Sequence, residues 1–185
     1  RENGVVDIAV TDEAEATLMA KRVLAFVQGS MADWQAADQS ELAALMPTNR
    51  RYAFDVRKII RHLFDTESFI ETRPDMGRAI ITGLARIEGR AVAVLASDCR
   101  HLGGAIDGES ATKAAALYQL AERWRLPVVS LIDTPGFMVG PESEAGGAPR
   151  LMSDLFIAGA TLTQPLVAIF LRRAYGLGAM AMTGG

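Results

Sequence analysis

Pro127-Val128-Val129-Ser130-Leu131-Ile132-Asp133-Thr134-Pro135-Gly136-Phe137 and Pro165-Leu166-Val167-Ala168-Ile169-Phe170-Leu171, the second running on to Gly176-Leu177-Gly178-Ala179, are the stretches that decide the fold. Each is a proline, then a mostly apolar run, then a polar-to-glycine loop, then a helical pattern. The apolar runs lack the in–out alternation of a half-solvated strand, which predicts strands buried on both faces. Helices between successive strands make the connections parallel crossovers. Two such units in succession place the chain in the α/β class.

Outward from these units, Ala79 to Ile87 and Arg90 to Ser97 are apolar, β-branched runs separated only by Glu88-Gly89. That spacing predicts a tight hairpin. Asp107 to Arg125 predicts a helix rich in Ala and Leu. Asp55 to Phe64 predicts an amphipathic helix with Val56, Ile59, Ile60 and Leu63 on one face. Gly147 to Thr163 is expected to be helical with Pro149 in its first turn, and a further helix is expected from about Gly178. A hairpin followed by strand–helix repeats fits a spiral of β-β-α turns as well as a doubly wound sheet.

Nearer the start, Val5 to Val10 reads as a short buried strand. Thr11 and Asp12 then offer a cap to a helix whose Ala16, Met19, Val23, Phe26 and Val27 recur at helical spacing until Gly29. Residues 29–50 keep no sustained period and close on Pro47-Thr48-Asn49. A structureless connection of about 20 residues is uncommon inside one domain, so a boundary is expected near Pro47. Residues 1–46 are then the last unit of a preceding domain plus a linker, and 47–185 a second, truncated domain. The opening β-α unit without a sheet, and a helix over Ala179 to Gly185 interrupted after it begins, suggest a piece of a longer protein.

The 185 residues are 50% hydrophobic, enough to bury a sizeable core. Nineteen Lys and Arg against twenty-two Asp and Glu give a net charge of -3, without the basic surplus of a nucleic-acid binder. No apolar run approaches the roughly 20 residues that span a bilayer, and Arg1-Glu2-Asn3-Gly4 is not a signal peptide. Cys99 cannot form an internal disulfide and His62 and His101 are the only histidines, so a reducing, cytoplasmic setting and no metal site are expected.

In a parallel sheet, ligands gather at the carboxyl ends of strands. Four loops are candidates for that edge: Leu102-Gly103-Gly104-Ala105, Asp133 to Phe137, Glu144 to Gly147, and Ala174 to Ala179. Glycine permits positive φ and close backbone approach, and a helix starting after such a loop aims unpaired N–H groups at an anion or developing oxyanion. Each cluster also has the plainer reading of a turn. P-loop, Rossmann, G-x-S-x-G and H-E-x-x-H patterns are absent. His101 has no obvious nucleophile partner, His62 reads as a helix-surface residue, and Cys99 reads as a small hydrophobe. Arg172-Arg173 either holds an anion or marks a strand's exit. The backbone is the leading candidate for catalytic equipment.

Taken together, Asp133 to Gly140, then Glu144, Gly147 and Arg150, then Arg172 to Met182 resemble the C-terminal half of biotin-dependent acyl-CoA carboxyltransferases, the β subunits of propionyl- and methylcrotonyl-CoA carboxylases. The likeness reaches back through Tyr52 and Asp55-Val56-Arg57 to Gly4-Val5-Val6-Asp7. It implies a crotonase-like spiral of β-β-α turns, and transfer of CO2 from carboxybiotin on a partner carrier protein to the α- or γ-carbon of an acyl-CoA. It also implies a biotin carboxylase and biotin carboxyl carrier partner and a hexamer-like homo-oligomer. The active site then forms between the N-terminal half of one subunit and the C-terminal half of another, so this stretch alone is expected to be inactive. By the same resemblance the amides of Leu177 and Gly178 form an oxyanion hole, and no side-chain base is required. Gly136 and Phe137 line the biotin approach, Gly176, Gly103 and Gly104 belong to the binding loops, and Met180 occupies the acyl-specificity position.

Departures are specific. Gly176-Leu177-Gly178 stands where several carboxylases have Gly-Gly-Ala, Ala148-Pro149 replaces an apolar pair, and Asp154 replaces a lysine. Met180 stands where propionyl-type enzymes have an aspartate, so propionyl-CoA is not implied. Two other readings fit: a crotonase-type hydratase or isomerase, with Glu142 and Glu144 as the near acids, and a non-catalytic assembly subunit.

Overall fold

The computed structural model describes residues 1–49 and 51–185. Five strands form one sheet in the order β1 (Ile70–Thr72), β2 (Ile80–Ile87), β3 (Arg90–Ser97), β4 (Val128–Thr134) and β5 (Leu166–Ala174). The first two pairings are antiparallel and the last two parallel. The predicted hairpin is in register from Ile80 opposite Ser97 to Ile87 opposite Arg90. Its turn residues Glu88 and Gly89 both have positive φ, 50° and 75°, as the twist-matched two-residue turn requires. The Asp65 carboxylate accepts from both turn amides, at 2.9 and 2.7 Å.

Both faces of this sheet are apolar. On one, Ile80, Leu84, Ala93, Leu95, Val128 and Ile132 meet α3 (Gly108–Trp124), α5 (Ala148–Ala160) and α6 (Gly176–Ala181). On the other, Ile81, Ala85, Val92, Val94, Ala96, Val129 and Leu131 meet α2 (Val56–Leu63) through Val56, Ile59 and Ile60. Successive side chains point to opposite faces, so a strand sandwiched between helices reads as one unbroken apolar run. Asp107 caps α3 by accepting from the Ser110 amide, and Arg125 ends it in a left-handed conformation. The Tyr118 hydroxyl, fully buried, donates to the Ala181 carbonyl and fastens α6 to α3.

Several expectations are corrected. Val5 to Val10 forms no strand; the segment is an irregular, largely exposed stretch that meets the end of β1 where Asp7 O accepts from the Arg73 amide, without forming a ladder. The helix after it, α1 (Glu13–Ala25), is capped by Asp12 as predicted. Residues 29–50 are not structureless: Gln39–Leu45 is a 3₁₀ helix, and Leu42, Leu45 and Met46 pack under α2. The helix expected from Gly147 is preceded by a separate short one, α4 (Pro141–Ala145). The helix expected near Gly178 begins at Gly176. β5 is not buried on both faces: on the side that α2 covers over β2–β4, Val167 and Ile169 are 58% and 37% exposed, and Phe170, beside Ile132 on the other side, is 59% exposed. No helix among the described residues is long and apolar enough to cross a membrane.

Candidate active site

The carboxyl ends of β3, β4 and β5 lie along one edge because these strands are parallel. Hydrogen bonds stitch the loops that leave them. The Thr134 hydroxyl donates to the Gly104 carbonyl at 2.7 Å and accepts from the Gly136 amide at 3.1 Å. The Ile106 amide donates to Gly136 O, the Met138 amide to Ile106 O, and the Tyr175 amide to Thr134 O. Three of the four glycine-bearing loops are thereby brought together. The fourth, Gly146-Gly147, joins α4 to α5, which is its plain reading.

Tyr175 is the N-cap of α6, so Leu177 and Gly178 occupy its first turn, where N–H groups have no partner one turn back. Gly178 is glycine for a packing reason: a Cβ there would sit 2.7 Å from the Gly136 carbonyl carbon and 2.9 Å from the Phe137 nitrogen. Gly104 is held likewise, its Cβ position 2.6 Å from the Asp133 carbonyl oxygen. Gly103 and Gly176 differ: both have φ near +60°, and a Cβ on either would face open space. Phe137 is half-buried, its ring edge-on to Phe156 with centroids 6.0 Å apart. Leu177 and Met180 are 62% and 50% exposed. Gly176 and Met180 line an open depression of about 500 Å³ with Phe170, Ala174, Ala179 and Thr183.

Beneath this edge lies Asp133, its side chain fully buried. Its Oδ1 accepts from the Arg173 amide and Nε (3.1 and 2.9 Å), and its Oδ2 from Arg172 Nη2 at 2.6 Å. Burial pushes this carboxyl's pKa up, but the hydrogen bonds from Arg173 and Arg172 outweigh it and hold the group below the usual carboxylate value. Arg173 Nη2 also donates to Gly103 O at 2.7 Å. Adjacent residues of a regular strand point to opposite faces, yet both arginines reach one carboxylate. The register explains it: two residues from Ile132 to Thr134 pair against four from Phe170 to Ala174, so β5 bulges at 171–173. The Arg172-Arg173 pair is visible in the sequence; the bulge and the carboxylate partner are not.

The remaining candidates fall away from this edge or into structural roles. Cys99 is buried, its sulfur accepts from the Phe54 amide, and burial raises its pKa, so it is no thiolate nucleophile. His62 sits on α2 with Nδ1 2.8 Å from Lys58 O. His101 is half-buried, ahead of the Leu102–Gly104 turn. Glu142 and Glu144 are exposed on α4 and form no acid pair in a pocket. A larger cavity, about 660 Å³, lies between α1 and residues 31–35 and 65–68 and holds none of the candidate residues. Its two arginines bind backbone: Arg22 donates to Glu67 O, and Arg86 to the carbonyls of Ala25, Gly29 and Gly89.

The carboxyl transferase domain family matches residues 1–185. The chain is 36% identical over 190 residues to a propionyl-CoA carboxylase beta chain from Rhodococcus erythropolis, covering 98% of this chain and 40% of that one. Among solved structures, a single-chain, multi-domain long-chain acyl-CoA carboxylase superposes with a TM-score of 0.98 at 48% identity, over 100% of this chain and 19% of that one. The 12S transcarboxylase, solved as a hexamer with methylmalonyl-CoA, superposes with a TM-score of 0.89 at 27% identity, over 97% of this chain and 37% of that one. The chain thus spans well under half the length of these relatives. The fold is the crotonase-like α/β fold of such carboxyltransferases.

Proposed function

The chain belongs to the carboxyl transferase domain family, and from that premise we propose that it forms the carboxybiotin-receiving part of a biotin-dependent acyl-CoA carboxylase β subunit. The observation that carries this reading is the meeting of loops 103–104, 134–137 and 175–178 beside an open depression, with the first-turn amides of Leu177 and Gly178 among them. Residues 47–185 belong to its C-terminal domain and 1–46 to the end of its N-terminal one.

The donor set fits the ureido group of biotin: N–H groups suited to a carbonyl oxygen, and Gly103 and Gly176 leaving open space for close approach. When bound, carboxybiotin would supply an activated carboxyl group for the α- or γ-carbon of an acyl-CoA, and the ureido anion left behind would take up the proton that carbon gives up. The chain's own part is electrostatic. The amides of Leu177 and Gly178, fixed in a helix start, hold negative charge as it develops on a carbonyl oxygen, and one such donor is worth about 3 kcal/mol. Gly136 and Phe137 flank that helix start and bound the approach, and Gly104 anchors the neighbouring loop.

Met180 sits on the rim of the depression with Phe170, Ala174 and Ala179. This apolar lining suits an apolar acyl chain, and the likeness to a long-chain acyl-CoA carboxylase supports the same direction. The partners are a carboxylated biotin carrier with its biotin carboxylase, and further copies of the subunit in a hexamer-like ring, in the cytoplasm.

The test is a backbone-directed pair of variants in the full-length subunit with its carrier. Proline is tolerated in a helix's first turn but lacks the N–H, so Leu177→Pro removes one donor while Leu177→Ala keeps it. The kcat of the proline variant is expected to fall about 10²–10³-fold below that of the alanine variant. Equal rates would overturn the assignment.

A further inference from the structure

We propose that Asp133, acting through Arg173 and Arg172, is the positioning residue of this site: it sets the first turn of α6 against loop 103–104 and turn 134–137. The inference rests on the reading of those loops as the carboxybiotin site.

The geometry is a buried hub with three spokes. Asp133 lies one residue before Thr134, whose hydroxyl and carbonyl bind Gly104, Gly136 and Tyr175. Arg173 lies two residues before the Tyr175 N-cap and carries the second spoke: its amide and Nε bind Asp133, and its Nη2 binds Gly103 O. Arg172 carries the third, with Nη1 donating to Tyr52 O at 2.7 Å and the guanidinium 4.8 Å above the Phe54 ring. One carboxylate therefore fixes where all three loops begin.

The bulge makes this possible. It turns both arginines onto Asp133 and advances β5 by two residues relative to β4, which brings Ala174 opposite Thr134 and Gly178 against Gly136. A regular strand would send one arginine to the other face and leave the Gly103 carbonyl without its Arg173 bond. A guanidinium forks to two oxygens at once, whereas an ammonium is a point charge. Arginine rather than any cation is therefore required at 173.

The full-length subunit, assembled with its biotinylated carrier, carries the test in three variants. Asp133→Asn keeps the shape and removes the charge; Arg173→Lys keeps the charge and removes the fork. Arg86→Lys is the control, a buried arginine near the opposite edge that binds the carbonyls of Ala25, Gly29 and Gly89. Misplacing reacting groups by about 1 Å costs on the order of 10²-fold. Both site variants are expected to lose about that factor in kcat with the acyl-CoA KM within about twofold, while Arg86→Lys lowers Tm but keeps kcat.

Hydrogen exchange supplies a readout independent of turnover. Peptides holding the Tyr175 and Ile106 amides, which bridge the loops, should exchange faster in Arg173→Lys but not in Arg86→Lys. A kcat unchanged per folded molecule in Arg173→Lys would overturn the proposal, as would exchange at these amides no faster than in the control. If Asp133→Asn fails to fold, Arg173→Lys decides alone. A wild-type complex inactive on every acyl-CoA would sink the functional reading, and the exchange result would still decide whether the clamp holds the loops.

Discussion

Two aspartates end adjacent parallel strands, and both have fully buried carboxylates held by two arginines. Asp98, immediately after β3, accepts from Arg57 Nη1 at 2.7 Å and from Arg100 at 3.0–3.1 Å. Arg57 also pairs with Glu71 on β1, and Arg100 with Asp55 at the cap of α2. Asp133 takes both its arginines from one bulge in the neighbouring strand. The same chemistry thus does different work. The Asp98 network reaches across layers, from the sheet edge to β1 and α2, and holds the fold. The Asp133 network crosses layers only through Arg172, to Tyr52 and Phe54, and otherwise holds three loops of the edge in mutual register.

The sharpest way to break this comparison is to remove the carboxylate that should matter only to stability. Asp98→Ala leaves two arginines facing a vacated site, and losing one partner of a buried ion pair typically costs about 3–5 kcal/mol. Denaturant unfolding should show that loss, while kcat per folded molecule should hold; a collapse in kcat at preserved fold would erase the distinction.

Lys113 supplies an intermediate case, a buried charge held by carbonyls alone. Its Nζ donates to Met76 O and Ile80 O, and burial pushes its pKa down to about 8 from 10.5. Between those values the unfolded chain binds the proton that the folded chain has lost. The penalty is therefore full below pH 8 and fades as pH rises towards 10.5. Lys113→Met should flatten that rise by a few kcal/mol, read from unfolding curves at pH 7.5 and 10. Parallel pH profiles for the two proteins would refute it.

The smallest effect is expected at Arg100, the most exposed member of the Asp98 network. Arg100→Lys should cost about 1 kcal/mol or less, since exposed pairs contribute little. A loss as large as that of Asp98→Ala would show that this network has no hierarchy.

The architecture was legible wherever a residue's local pattern and its burial agree. Glu88-Gly89 between two apolar runs could only be a two-residue turn, and Asp107 and Asp12 announce their helices by cap chemistry. Val5 to Val10 misled because an apolar β-branched run is a strand only where its backbone pairs along an edge, and here Asp7 meets the end of β1 without a ladder. β5 misled in the opposite sense: its residues read as buried, yet nothing among the described residues covers one of its faces. At the candidate edge the glycines were legible, and their separate reasons were not. Gly178 and Gly104 answer to backbone packing, Gly103 and Gly176 to backbone conformation. The two-residue bulge was invisible because it is a relation between strands, and no residue type encodes it alone. Asp133 reads as no more than the start of a candidate loop or turn for the same reason.

The bond from Tyr118 to Ala181 crosses from the middle of the longest helix, deep in the core, to the short helix that carries the candidate amides. A six-residue helix has almost no stability of its own, so it borrows order from that anchor and from Ala179 and Met182 packed beside it. Heat, urea or a core cavity therefore cannot loosen the interior and spare the edge. Inactivation and unfolding should share one midpoint, and a simple rate assay of the complete enzyme would report on the integrity of its interior.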